Sequence, residues 1–309
     1  MRAVALTTVP ATPSVIEIDV PRPAVGEVLV EVASASVNGF DAAVAAGKLR
    51  DLMEHRFPLV LGKDYAGTVV EVGEGVEGLA AGDRVFGVLM APFLQAGTLA
   101  RYAAVPTSYG LARIPEGLSF RDAGALGLAG TAALNSLDTV EVGEGDTVLI
   151  SGATGGVGAF AVQLAAARGA RVIATARPGA EEEFVTGLAE AVQVVDHTDD
   201  LESAVRKIAP DGVDVILHLA GDVTRLASLL AKDGRIASTL GLPADAVDGV
   251  TLRSVMADPT DTTLTTLAEL VAAGKLRVPI GAVYPLERAP EAFAAFTRGA
   301  IGKIAIACS

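Results

Sequence analysis

Between Ser151 and Gly158 the chain reads SGATGGVG, with Ala153, Gly155 and Gly158 at the three fixed positions of a G-x-G-x-x-G spacing. A glycine-rich turn of this kind lets phosphate oxygens approach main-chain N–H groups at a helix N-terminus, where the partial positive charge favours an anion. Ala153, Thr154, Gly155, Gly156, Val157 and Gly158 are therefore candidate contacts to a dinucleotide, with alanine replacing the first glycine. Further on the chain reads Ala174-Thr175-Ala176-Arg177-Pro178, with no acidic residue to accept from a ribose 2′-hydroxyl. Arg177 offers a planar, multi-donor guanidinium to a 2′-phosphate, although it also reads as a solvated loop arginine. Glu181, Glu182 and Glu183 would either repel that phosphate or fill a helix's first turn, where carboxylates are favourable. The expected cofactor is NADPH.

These residues need elements to hold them. Residues 147–150 and 171–175 are short apolar runs flanking an Ala-rich segment, 159–168, which is the strand–helix–strand order of a βαβ unit. Further strands are expected at 192–195, 213–217 and 234–239, with helices at 201–208 and 223–230, giving a doubly wound parallel sheet. Loops after its strands open at the carboxyl edge, which makes Leu219, Ala220 and Gly241 candidate ribose neighbours. Residues 1–118 instead read as short alternating strands (15–20, 27–34, 66–72) punctuated by Pro and Gly turns, a partly open β-barrel. Helical spacing over 122–134 opens the nucleotide domain, and an amphipathic helix is expected at 260–273. Strands at 276–278, 282–284 and 303–307 can return to complete the first domain. The expected fold is α/β: a β-rich domain of residues 1–118 and 275–309, and a Rossmann domain of residues 119–274.

Composition narrows the function. A chain of 309 residues, 51% hydrophobic and 20% charged, can build two cores. It has no apolar run long enough to read as a membrane span, and its N-terminus lacks a signal-peptide core. Its net charge of −13 opposes nucleic-acid or anionic-lipid partners. The single cysteine, Cys308, allows neither an intrachain disulfide nor a thiolate metal cluster, and the expected compartment is cytoplasmic. His55, His197 and His218 have no ligand-pair spacing and read as surface or strand-end histidines.

Several stretches in order along the whole chain resemble the zinc-free quinone oxidoreductase branch of the medium-chain dehydrogenase/reductase superfamily. They are Ala35-Ser36-Val37-Asn38-Gly39-Phe40-Asp41, Gly62-Lys63-Asp64-Tyr65-Ala66-Gly67, Gly82-Asp83-Arg84-Val85 and Gly130-Thr131-Ala132. The 153–158 turn, Val194-Val195-Asp196-His197, Gly234-Arg235-Ile236 and Gly302-Lys303-Ile304 complete the set. The resemblance implies a GroES-like catalytic domain around a Rossmann domain, many members being homodimers. It also implies hydride transfer from NADPH to a quinone or an activated C=C bond. Zinc-dependent relatives carry cysteine and histidine where this chain matches with Asn38 and Lys63, so no metal is expected.

By matched position, Asn38 would stand beside the nicotinamide; it also reads as a turn asparagine. Thr131 would lie near the nicotinamide and pyrophosphate, or act only as a helix-capping or back-bonding threonine. Lys63 would bring positive charge to the reacting carbonyl, or pair with Asp64, or face solvent, and Lys303 matches a recurrent lysine with a weak case for phosphate contact. Leu49 stands where relatives often have a tyrosine, so Tyr65 is considered as a substitute proton donor, against its reading as a core residue. Asp41 and Asp64 read as loop-holding carboxylates. Two other readings stay open: a non-catalytic NADPH-binding protein of the same fold, and a tailoring enoyl reductase of a biosynthetic pathway.

Overall fold

Eleven consecutive residues, Glu27–Val37, form the longest strand, and its β-branched side chains explain why. Val28, Val30 and Val32 point to one face and are fully buried. This strand pairs antiparallel with Asp64–Val72, Tyr102–Pro106 and Lys303–Ala307. The sheet runs Ile280–Pro285, Lys303–Ala307, Glu27–Val37, Asp64–Val72, Arg84–Val88, Leu111–Arg113. Register shifts at Leu29/Val30 and Val32/Ser34 are bulges, which bend such a sheet toward a barrel. The C-terminal strand sets Ile304 opposite Val37 and Ile306 opposite Ala35, both isoleucines buried. Each contributes about 2 kcal/mol of apolar burial to holding the tail in place.

The computed structural model describes residues 1–309. Its contacts divide the chain into one unit of residues 1–128 and 259–309 and a second of residues 129–258. The expected limits were 118/119 and 274/275. The difference lies in the helices: Phe120–Ala123 packs on the strands Glu27–Val37 and Asp64–Val72, and Asp261–Ala272 packs on Leu111–Arg113, so both belong to the barrel unit.

In the second unit the parallel sheet runs Gln193–Val195, Arg171–Thr175, Thr147–Ser151, Val213–His218, Leu230–Ser238, Thr251–Ser254. Numbered along the unit this is 3-2-1-4-5-6, the dinucleotide-binding order, which reverses at the Thr147–Ser151 strand. Leu149, Ile173, Ile216 and Ile236 form the middle of its core.

Four local expectations needed adjustment. Asn38 is followed by a helix, Gly39–Ala45, where only a turn was expected. The helix expected over 223–230 ends at Ala227, because Leu230 already begins a nine-residue strand. Leu276 and Val278 are buried but lie outside any strand. The helix expected over 122–134 is two helices, Phe120–Ala123 and Gly127–Thr139, with a break at Gly124. A Cβ there would sit 2.6 Å from the Ser34 carbonyl oxygen. No helix is long and apolar enough to cross a membrane.

Candidate active site

The glycine-rich turn joins the first parallel strand to the helix Gly156–Ala167. Its left-handed residue is Gly152, at φ +73, which explains how alanine fits at 153. Gly158 is needed for packing, since a Cβ there would lie 2.3 Å from the Gly152 carbonyl oxygen. Gly155 differs: its Cβ would meet nothing closer than 3.5 Å, so the fold itself does not demand glycine. Gly155 is the N-cap, and no side chain caps the helix, leaving first-turn N–H groups for an anion.

Side chains that sequence reasoning passed over brace this edge. Thr175 Oγ1 accepts from the Gly152 N–H at 3.0 Å, and Ser151 Oγ accepts from the Leu219 N–H at 3.2 Å. Buried His218 bonds Ser238 Oγ through Nδ1 and the Gly221 carbonyl through Nε2, at 2.9 and 3.0 Å. The signal was available: a small hydroxyl residue ends each of two adjacent strands at the carboxyl edge. Ala220 stands against the turn, 3.0 Å from where a Gly152 Cβ would be, while Gly241 is an exposed left-handed glycine after its strand. Thr131 is fully buried in the helix Gly127–Thr139, and its Oγ1 has no hydrogen-bond partner. A buried orphan hydroxyl is rare, and a ligand group is one kind of partner that would satisfy it.

Arg177 is 61% exposed and held by Glu181, through its main-chain N–H at 2.9 Å and its guanidinium. The hydrogen bond raises the arginine's pKa, and the same contact lowers that of Glu181. Asp196 adds a further negative field at Arg177. A 2′-phosphate must therefore compete with Glu181 for this cation.

In the first unit the structure draws together Ser36, Asn38, Asp64 and Lys303. Asp64 is fully buried: Oδ2 accepts from Ser36 Oγ at 2.5 Å, Asn38 Nδ2 at 2.9 Å and Lys303 Nζ at 3.3 Å, and Oδ1 accepts from the Leu128 N–H at 2.6 Å. Lys303 is only 3% exposed and donates to Asn38 Oδ1 at 2.6 Å. This corrects its assignment to the cofactor phosphates, because its charge is committed inside the barrel unit. Beside the cluster, Asp41 accepts from the Asn38 and Gly62 N–H groups at 2.9 and 3.0 Å. Asn38 and Asp41 thus sit at the N-cap and third position of their helix, the pattern that starts it. Burial pushes the Asp41 carboxyl up to about 6, against the pull of those two N–H groups.

Lys63 neither pairs with Asp64 nor faces solvent, as one reading had it. Its Nζ donates to the Leu89 carbonyl at 3.0 Å and lies 4.7 Å from the centre of the Phe40 ring, and burial lowers its pKa. Tyr65 is withdrawn as a proton donor. It is 1% exposed in the barrel core, its hydroxyl donates to the Gly110 carbonyl at 3.2 Å, and burial raises its pKa further from use.

Zinc does not fit these residues. No group of three or more His, Cys, Asp or Glu side chains is placed to hold a metal ion. An amide and an ammonium replace the thiolate and imidazole, and the Lys303 cation already occupies the Asn38 oxygen. A dinucleotide does fit the other unit, by the uncapped helix, the open Gly155 and the orphan Thr131 hydroxyl.

Residues 24–116 match the family model of the alcohol dehydrogenase GroES-like domain, and residues 189–306 match one described as zinc-binding dehydrogenase. The quinone oxidoreductase of Sus scrofa is 33% identical, over 93% of this chain and 91% of its own. A quinone oxidoreductase structure from Coxiella burnetii superposes with a TM-score of 0.87 at 28% identity, covering 99% of both chains. A mycobacterial protein solved in complex with NADPH gives a TM-score of 0.86 at 26% identity, also over 99% of both. With its GroES-like and Rossmann units and such a full-length relative, this chain belongs to the quinone oxidoreductase branch of the medium-chain dehydrogenase/reductase superfamily.

Proposed function

We propose that this oxidoreductase is an NADPH-dependent, zinc-independent reductase of quinones or α,β-unsaturated carbonyls. The observation that carries the reading is Gly155: a glycine the fold does not require, at an uncapped helix N-terminus in the strand order that binds dinucleotides. When bound, the reduced nicotinamide supplies the hydride. Main-chain N–H groups of the 155–158 turn would hold the pyrophosphate, and the cofactor would offer Thr131 Oγ1 its missing partner.

An enone gains hydride at its β-carbon, negative charge grows on its carbonyl oxygen, and a proton must then reach the α-carbon. Asn38 supplies a hydrogen-bond donor to that oxygen, which stabilises the charge only as it develops. Lys63, its proton loosened by burial, is the ionisable donor that remains once Tyr65 is set aside. For a quinone the same two groups serve its two oxygens.

Glu181 supports a second reading of the cofactor. Its carboxylate holds Arg177 now and is of the type that accepts from the ribose 2′-hydroxyl of NADH. Titration of NADPH and NADH by their fluorescence decides between them. Arg177→Ala should weaken NADPH about tenfold and leave NADH unchanged. Glu181→Gln should strengthen NADPH several-fold by freeing Arg177. Equal affinity for the two nucleotides in wild type and both variants would remove the NADPH assignment. Following NADPH oxidation with benzoquinones, naphthoquinones and cyclic enones then tests turnover; tight binding without turnover on any acceptor would make the protein a binder.

A further inference from the structure

Lys303 lies on the strand Lys303–Ala307, nearly the whole chain away from Asn38, yet its ammonium is 2.6 Å from the Asn38 side-chain oxygen. We propose that Lys303 is a positioning residue that locks the Asn38 amide in the one orientation able to donate to the acceptor's oxygen. The proposal rests on the reading of Asn38 as that donor.

A carboxamide has two orientations of nearly equal shape, and only its partners choose between them. Here Oδ1 faces the Lys303 ammonium, which can only donate, and Nδ2 lies 2.9 Å from the Asp64 carboxylate, which can only accept. The reversed amide would set N–H against ammonium and oxygen against carboxylate, in a place with almost no water to relieve either. One Nδ2 hydrogen is used by Asp64, so the amide offers the acceptor only its second N–H and no oxygen.

Each partner is itself fixed. The three ammonium hydrogens of Lys303 have three acceptors: Asn38 Oδ1, Asp64 Oδ2 and the Val37 carbonyl at 3.4 Å. Asp64 is anchored by Ser36 Oγ and the Leu128 N–H. An ammonium on the amide oxygen also draws electron density from the nitrogen, which strengthens the remaining N–H as a donor.

The competing explanation is that Lys303 only neutralises Asp64. Lys303→Met and the charge-balanced pair Lys303→Met with Asp64→Asn separate the two, each measured for melting temperature, NADPH binding, kcat and KM. Orientation predicts that kcat falls about 10²-fold in both, with NADPH affinity and KM within about threefold of wild type. Neutralisation alone predicts that the pair regains wild-type kcat, and that result would overturn the proposal. Neutron diffraction of the unmodified protein is independent of any variant. It should show the Nδ2 deuterons on the Asp64 side of Asn38; deuterons facing Lys303 would overturn the idea. Absence of turnover in wild type with every acceptor would instead refute the reductase reading, while the deuteron positions would still decide whether Lys303 orients the amide.

Discussion

Asn38 and Asp41 show how little room single side chains have in the barrel unit. Asp41 satisfies two main-chain N–H groups, yet burial raises its carboxyl to about 6 from an ordinary 3.8. The folded chain therefore binds this proton more tightly than the unfolded chain does. Its contribution to stability is fully present below about pH 4 and is lost as the pH rises through 6, roughly 3 kcal/mol in all. Asp41→Asn removes the titration at the expense of one N–H acceptor. Urea unfolding between pH 4 and 7 should show the variant's deficit shrinking by that amount as the pH rises. Parallel stability curves for the two proteins would refute the raised carboxyl. The alternation of the Glu27–Val37 strand was plain in the sequence, but that Ser36 and Asp64 share a hydrogen bond depends on strand register, which no local pattern reveals.

Among the elements, the strand–turn–helix carrying SGATGGVG has two glycines that differ in whether the fold requires them. Gly158→Ala forces a Cβ to 2.3 Å from a carbonyl oxygen and 2.6 Å from the Ala153 Cα, a backbone clash with no flexible side chain to give way. It should cost about 2 kcal/mol or more of stability. Gly155→Ala has open space, so its melting temperature should stay within a few degrees of wild type, while NADPH affinity falls at least about tenfold because the methyl blocks phosphate approach. Calorimetric titration beside a thermal melt checks both. Unchanged binding in Gly155→Ala would mean that no phosphate comes close to this turn. Periodicity alone made the βαβ unit legible. The helix after Asn38 was missed although Asn38-x-x-Asp41 carries a capping pattern, because seven residues are too few for a clear period.

For the whole molecule, the matched family model is described as zinc-binding dehydrogenase, whereas this chain holds a buried lysine ammonium against Asn38. Metal analysis of purified protein should find less than about 0.1 zinc per chain, and EDTA should change neither melting temperature nor turnover, since no deprotonated ligand set exists to bind the ion. Stoichiometric zinc lost together with activity would refute zinc independence.

The sequence by itself determined the two kinds of sheet and the glycine-rich turn between strand and helix, because hydrophobic period and glycine spacing are local properties of the chain. Only the tertiary structure decided what the polar residues do. It moved Lys303 from the phosphates to Asn38, put Tyr65 in the core, and tied Arg177 to Glu181. The physical reason is that a charge's role is set by which partner lies within hydrogen-bond reach after folding. For Asn38 and Lys303 that partner lies 265 residues away along the chain.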